Sequence, residues 1–385
     1  MIGRTLADGL IELASGYPIV SVTGPRQSGK STLVKATFPN HRYLNLEDPA
    51  IRARALADPS GFIANNPGPL IVDEAQYAPE LFSAIQAVSD ESGQPGQFVL
   101  SGSQNFLMMK ALRQSLAGRV GMAKLLPLSM AELEHAGGVP DIPDVILRGF
   151  YPRLHASKIP TTLFYENYVD TYVARDVTGY LDVRNESAFR TFMKLCAARV
   201  GNLVNMTSLA SGVGVSVPTV KNWLSLLESS YVIRLLQPYY ANLGKRLTKT
   251  PKMYFIDTGL LCHLLGIKSV SDLVNSEVYG AVFENFVIAE QLKAHLNRLQ
   301  APELYFYRDD SKVEVDLVDL TSVPASLVEI KSGQTYRSSF ARNVRHISAL
   351  LPGSAPSVVY GGAGSFEEDG VHVQGVREWV TDGKV

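Results

Sequence analysis

Neither sign of charge is in excess: 36 lysines and arginines stand against 37 aspartates and glutamates in 385 residues. A chain so balanced has no whole-molecule attraction for nucleic acid or an acidic membrane, so any such binding has to come from a local patch. Cysteine is scarce too. Cys196 and Cys262 stand far apart without metal-ligand spacing, which excludes a disulfide framework and fits a reducing cytoplasm. No run approaches the roughly 18 apolar residues that span a bilayer, and the opening MIGRTLADGLIELASG carries acids and an amphipathic pattern instead of a signal-peptide stretch. A soluble, cytoplasmic protein without a membrane partner is expected. Internal repeats and low-complexity tracts are also lacking. With 46% hydrophobic and 19% charged residues each part of the chain can bury a core, which excludes global disorder.

What is present is an alternation of strand-like and helix-like stretches through the first 130 residues, the pattern of a parallel sheet with crossover helices. Strands are expected at 18–22, 42–46, 69–74, 97–102 and 120–128, and helices at 30–37, 79–90 and 104–116. The Gly- and Pro-rich segment 137–152 reads as a boundary. Residues 160–200 look helical, and the stripe Phe164, Tyr165, Tyr168, Tyr172 has the spacing of a core face. A long helix at 278–298 then precedes strands at 304–308, 313–320 and 326–331.

The strongest chemical signal is GPRQSGKS at 24–31, which fits G-x-x-x-x-G-K-[ST] in full, after an apolar strand and at the opening of a helix. Gly24, Pro25, Arg26, Gln27, Ser28, Gly29, Lys30, Ser31 and Thr32 are the expected ATP-binding residues. The glycines let backbone wrap around phosphates, Lys30 neutralises the β- and γ-phosphates, and Ser31 ligates Mg²⁺. PLIVDEAQ at 69–76 supplies the second half: an apolar strand that ends in two carboxylates. Asp73 would face the metal, and Glu74 would orient or deprotonate the attacking water, which favours hydrolysis over transfer to a bound acceptor. The strand before Ser103 is expected between the other two; Ser103, or Ser101 or Gln104, either touches the water or γ-phosphate or merely caps the next helix. Arg119 in LAGRV is placed to reach a neighbouring subunit's γ-phosphate, with a surface ion pair as the alternative.

The set GPRQSGKS, YLNLEDP, PLIVDEAQ, FVLSGSQ and LAGR…LPLSMAEL resembles the AAA-superfamily ATP-binding proteins of bacteria and archaea, whose C-terminal half is usually called a domain of unknown function. The resemblance covers roughly 15–360. It implies an AAA-like strand order, Ser103 or Gln104 as sensor and Arg119 as finger, hence a homo-oligomer. A second sensor arginine is missing from its usual pattern, with Arg153 in GFYPRL as the candidate.

Residues 203–236 read as helix, turn, helix, with glycines 212 and 214 in the turn and Ser216 as N-cap of a helix over 217–229. Thr219, Lys221 and Asn222 lie near that helix's start, where a recognition helix contacts bases. A hairpin follows, and Lys245, Arg246, Lys249 and Lys252 are expected to contact DNA phosphates from it. Together these make a winged-helix module, which the family resemblance also implies; such modules serve equally as protein-binding or inter-domain units. Further on, Asp316 and Glu329-Ile330-Lys331, with Glu284 on the preceding helix, match the D…E-x-K arrangement of PD-(D/E)XK nucleases. Asp316 and Glu329 would hold Mg²⁺, and Lys331, leaving the same strand face as Glu329, would orient the water or neutralise developing charge. A sheet that kept these groups for structure is the rival.

The expected fold is α/β: a P-loop AAA-like parallel sheet domain (1–136), a helical connecting region (137–200), a winged-helix module (201–260) and a restriction-endonuclease-like α/β module (261–385). The expected function is ATP hydrolysis coupled to work or switching on DNA. The alternative is a regulatory ATPase switch with a protein partner, its C-terminal modules acting as interaction surfaces.

Overall fold

The computed structural model describes residues 2–103, 116, 118–138, 141–173, 186–239 and 249–381. Its N-terminal part is a five-stranded sheet in the order β2-β3-β4-β1-β5, every pair parallel. The strands are β1 (Ile19–Gly24), β2 (Arg42–Asn45), β3 (Leu70–Asp73), β4 (Phe98–Ser103) and β5 (Val120–Lys124). β1 and β3 are buried along their whole length, which is why both read as continuous apolar runs and not as alternating ones. Their two faces carry separate cores, one around Leu10, Val22 and Val34, the other around Val72, Phe82 and Ile85. β4 lies between β1 and β3, as the sequence leads one to expect, so Gly24 pairs with Ser103 and Asp73 with Ser101. The helix expected at 104–116 lies outside the described residues, apart from Leu116.

The connecting region is held by its aromatic stripe. Phe164, Tyr165, Tyr168 and Tyr172 on the Thr161–Tyr172 helix are all buried, and Tyr151 donates to the Tyr168 hydroxyl at 2.7 Å. Two helices, Met206–Val213 and Val217–Ser229, then form the helix-turn-helix; Ser216 Oγ accepts from the Thr219 N–H at 3.2 Å and so caps the second. Only Gly214 of the two glycines sits in the turn, with φ +78°; Gly212 belongs to the first helix.

The hairpin that follows is not a free-standing wing. β6 (Ile233–Pro238) and β7 (Lys252–Phe255) form one edge of an eight-stranded sheet, order β12-β13-β11-β10-β9-β8-β6-β7. The other members are β8 (Leu304–Arg308), β9 (Glu314–Asp319), β10 (Ser326–Lys331), β11 (Ala355–Tyr360), β12 (Ser365–Glu368) and β13 (Val371–Gly375). Parallel pairing of Gln237 with Tyr305 and of Pro238 with Phe306 makes the join. The 201–260 and 261–385 segments therefore share one sheet, and one core runs through both, including Trp223, Phe255, Phe286 and Leu317.

The Tyr279–Asn297 helix packs on that sheet and also reaches the N-terminal part. Its Glu290 accepts from the Met130 N–H at 2.7 Å, and its Lys293 donates to the Leu128 carbonyl at 2.9 Å. Glu290 and Lys293 pair at 2.5 Å with almost no exposure, and the ammonium lies 3.7 Å from the centre of the Phe150 ring. Among the described residues no helix is long and apolar enough to cross a membrane.

Candidate functional site

The C-terminal ends of β1, β3 and β4 bring the expected nucleotide residues to one edge of the sheet. Gly24 has to be glycine because a Cβ there would lie 2.1 Å from the Leu125 carbonyl oxygen, and Gly29 because its φ is +94°. The loop between them delivers the chain into the Lys30–Thr37 helix, whose N-terminal N–H groups are donors of the kind that hold an anion. Lys30 is buried and donates to the carbonyls of Gly24 and Pro25 at 3.0 and 2.8 Å.

Asp73 stands across from this loop. Its carboxylate accepts hydrogen bonds from Ser101 Oγ, from the Glu74 N–H at 3.0 Å and, at 2.6 Å, from the Tyr43 hydroxyl. Burial alone would raise its pKa, but the bonds from Ser101, Ser31, Tyr43 and the Glu74 N–H outweigh it and hold Asp73 below the ordinary carboxylate value. Burial and the neighbouring Asp73 carboxylate keep the Tyr43 phenol protonated. A hydroxyl beside a stably ionised carboxylate is a hard-oxygen pair, and Mg²⁺ typically takes one or two such protein ligands besides phosphates and waters. The donor set fits that ion.

Glu74 follows in a left-handed conformation, φ +54°, which turns its side chain out of the strand. Gln76 then ties the site together: its Nε2 donates to Glu74 Oε2 and, at 3.2 Å, to Ser103 Oγ. Neither Gln76 nor Tyr43 stood out in the sequence, although both lie inside the segments that did. The signal for Tyr43 was its register: β2 pairs with β3, and Asn45 lies opposite Asp73. Gln76 could have been found only by knowing that the chain turns after Asp73. Of the sensor candidates, Ser101 is bonded to Asp73, Ser103 is joined to Gln76, and Gln104 lies outside the described residues.

Arg4 is a further residue that the sequence did not disclose. It donates to the P-loop carbonyl of Ser28 at 2.8 Å and to Leu126 at 2.7 Å, and pairs with buried Glu132 at 3.1 Å. Glu132 in turn accepts from the N–H groups of Thr5 and Ser129. A cavity of about 510 Å³ lies beside the P-loop helix, lined by Ile2, Ala7, Gly29, Thr32, Pro152 and Arg153 among others. Its walls are mainly apolar, with Arg153 at one side. On the sheet's other flank the Tyr231 hydroxyl lies 3.2 Å from Thr23 Oγ1, one residue before Gly24.

Arg119 lies at the opposite end of the sheet. It precedes β5, its carbonyl accepts from the Ile19 N–H, and its guanidinium pairs with Asp90. The length of β1, roughly 20 Å at about 3.3 Å per residue, separates it from this chain's own P-loop.

In the C-terminal half, Glu284, Asp316, Glu329 and Lys331 are brought together. Lys331 Nζ is 2.6 Å from Glu329 Oε1 and 3.7 Å from Asp316 Oδ2, which also accepts from the Ile330 N–H at 2.8 Å. Burial, then the Asp316 charge, push both Glu284 and Glu329 above the ordinary carboxylate range. Among the described residues no three His, Cys, Asp or Glu side chains are grouped to hold a metal ion. Of the expected DNA contacts, Lys221, Asn222 and Lys249 are exposed, Thr219 is half-buried, and Lys245 and Arg246 lie outside the described residues. Lys252 corrects the sequence reading. It is 2% exposed, on β7, with its ammonium 3.2 Å from Glu284 and 2.5 Å from Glu314, and so has no access to a phosphate backbone.

Comparison with known proteins gives the family of the N-terminal part. Residues 16–134 match the family model described as an AAA domain. Residues 139–271 and 279–379 match two models described as domains of unknown function, DUF8612 and DUF4143. Among solved structures, a Walker-type ATPase of Pyrococcus abyssi aligns at 15% identity and TM-score 0.43, over 69% of this chain and 96% of that one. A Haemophilus influenzae protein described as uncharacterized is 24% identical over 335 residues, 77% of this chain and 81% of that one. The uncharacterized protein Rv2008c of Mycobacterium tuberculosis is 33% identical over 357 residues, 91% of this chain and 78% of the mycobacterial one. The chain therefore belongs to one family with that mycobacterial protein, and is built from an AAA-type P-loop ATPase domain followed by the two domains of unknown function.

Proposed function

We propose that the protein hydrolyses ATP at the edge formed by β1, β3 and β4, and that its C-terminal half converts turnover into switching on DNA. One observation carries the enzymatic reading: Asp73 bonded to Ser101 and Tyr43, with Gln76 joining Glu74 to Ser103 on the same edge. In this reading the loop from Gly24 to Ser31, with Thr32, binds the triphosphate, and Lys30 exchanges its carbonyl partners for β- and γ-phosphate oxygens. Ser31 and Asp73 hold Mg²⁺, which when bound with ATP neutralises developing negative charge. Glu74 orients the water and takes its proton, Gln76 fixes the direction of that carboxylate, and Ser103 contacts the γ-phosphate. The cavity beside the P-loop helix takes the base, with Arg153 toward the phosphates. Arg119, turned away from its own site, serves a second copy in a homo-oligomer.

The DNA part rests on Lys221 and Asn222, both exposed at the start of the second helix of the helix-turn-helix. The decisive experiment measures ATPase rate with and without duplex DNA, in wild type and in Glu74→Gln. Turnover abolished in Glu74→Gln with ATP binding retained supports the site; unchanged turnover overturns it. Stimulation by DNA that fades with salt supports the coupling. If no DNA is bound at low salt, the output goes to a protein partner instead.

A further inference from the structure

The acidic pocket of the C-terminal half contains an ammonium that the preceding segment supplies. Lys252 belongs to β7, inside the 139–271 match, whereas Glu284, Glu314, Asp316 and Glu329 belong to the 279–379 match. Its Nζ lies 3.2 Å from Glu284 Oε1 and 2.5 Å from Glu314 Oε1, and its side chain is 3% exposed. Tyr254, two residues on and on the same strand face, donates to Glu284 Oε1 at 2.5 Å. The other cations stand further out: Lys331 on Glu329 and Asp316, and Arg308 on Glu314 at 2.8 Å. One carboxylate oxygen, Glu329 Oε2, is buried with no hydrogen-bond partner, on a residue only 5% exposed. Burying such an acceptor unpaired costs free energy, so it marks a place where a cation would be welcome.

We propose that Lys252 fills the place a divalent cation would need in this pocket, so that the acids as they stand do not fit a metal ion. Four acidic side chains, Glu284, Glu314, Asp316 and Glu329, lie against three basic ones, Lys252, Lys331 and Arg308, so taking Lys252 away leaves an excess of acids that a divalent ion can offset. Geometry agrees with occupancy by the ammonium. The carboxylates are spread over separate cations, and among the described residues no three of them are grouped as a metal cage. Mg²⁺ would draw its oxygens to about 2.0–2.1 Å, which Lys252 prevents. An ammonium carries no water to activate, so with Lys252 seated the pocket has no metal-bound nucleophile. Lys252 also fastens the hairpin to the Tyr279–Asn297 helix, so the same contact that closes the pocket joins two segments of the chain.

Mn²⁺ titration of the full-length protein by calorimetry, without nucleotide because the P-loop binds divalent ions with ATP, tests this. Wild type and Asp316→Ala are expected to give the same trace. Lys252→Met, which keeps the stem and removes the charge, is expected to gain a site at least tenfold tighter than any in wild type, lost again in Lys252→Met/Asp316→Ala. Asp316-dependent Mn²⁺ binding in wild type overturns the proposal, and so does a folded Lys252→Met protein that binds no Mn²⁺. If Lys252→Met does not fold alone, it is refolded with and without Mn²⁺. Metal-dependent recovery of a cooperative thermal transition then supports the proposal, and its absence overturns it. Lys252→Arg, which retains a cation, is expected to stay as wild type; an Mn²⁺ site in that variant as tight as in Lys252→Met also overturns it.

Discussion

Replacing Gln76 with alanine isolates one step of ATP turnover. In the structure its amide donates to Glu74 Oε2 and, at 3.2 Å, to Ser103 Oγ, whereas the P-loop carbonyls and Asp73 are held by Lys30 and Ser101. Gln76→Ala should therefore leave the phosphate grip intact and release Glu74 from a fixed direction. A hydrogen bond to a charged group is worth about 1.5–3 kcal/mol. If that bond orients the base in the transition state, its loss lowers kcat by about 10- to 100-fold, at about 1.4 kcal/mol per tenfold. ATP affinity, followed by fluorescent-nucleotide titration, should stay within about twofold, since the binding contacts lie elsewhere. Gln76→Glu should be at least as slow, because it places a second carboxylate against Glu74 and cannot donate. A coupled ATPase assay reporting kcat and KM separately decides the matter. Wild-type kcat in Gln76→Ala refutes the positioning role, and a rise in KM at constant kcat would assign the residue to binding instead.

Lys30→Ala should lose nucleotide binding altogether, measured by the same titration, because the β- and γ-phosphates lose their fixed cation. Arg119→Ala should bind ATP normally and hydrolyse slowly, and mixing it with Lys30→Ala protein should restore part of the rate; no rescue in mixtures that exchange subunits counts against the finger. Asp73 contributes through its depressed pKa. That stabilisation is complete above the ordinary carboxylate value near 3.9 and is lost as pH falls through the lower folded value. Thermal melts should accordingly show the advantage of wild type over Asp73→Asn shrinking below about pH 4. Lys293→Met should lower stability by about 3–5 kcal/mol in denaturant titration, since it strands the buried Glu290 carboxylate, and Glu290→Leu/Lys293→Met should recover much of the loss.

How far the sequence discloses such contacts depends on how far apart their members lie along the chain. The P-loop and the Asp73-Glu74 pair are each complete within eight residues, and a strand end fixes their direction; both were legible. The β3-β4-β1 order came from the family resemblance, since crossover helices alone are compatible with several strand orders. The helix-turn-helix was legible for the same reason as the P-loop, its N-cap and second helix lying where Ser216 placed them. Lys252 shows where local reading fails. Four basic residues between 245 and 252 suggest one phosphate-binding edge, yet the last of them lies on β7 and points into a pocket whose acids come 32 to 77 residues later. The local pattern of a solvated cation and that of a buried one are the same; what differs is the partner set, and that set exists only once β7 joins β6, β8 and β9 in one sheet. The same holds for Arg4, whose partner Glu132 is 128 positions away. A charged side chain taken from water must be paired to be tolerated. The useful question for an unassigned basic residue in an apolar strand is therefore which carboxylates the topology could bring to it. For KMYF at 252–255, where Met253, Tyr254 and Phe255 are all core residues, a lone lysine leading a buried strand was the sign that a buried acid had to exist.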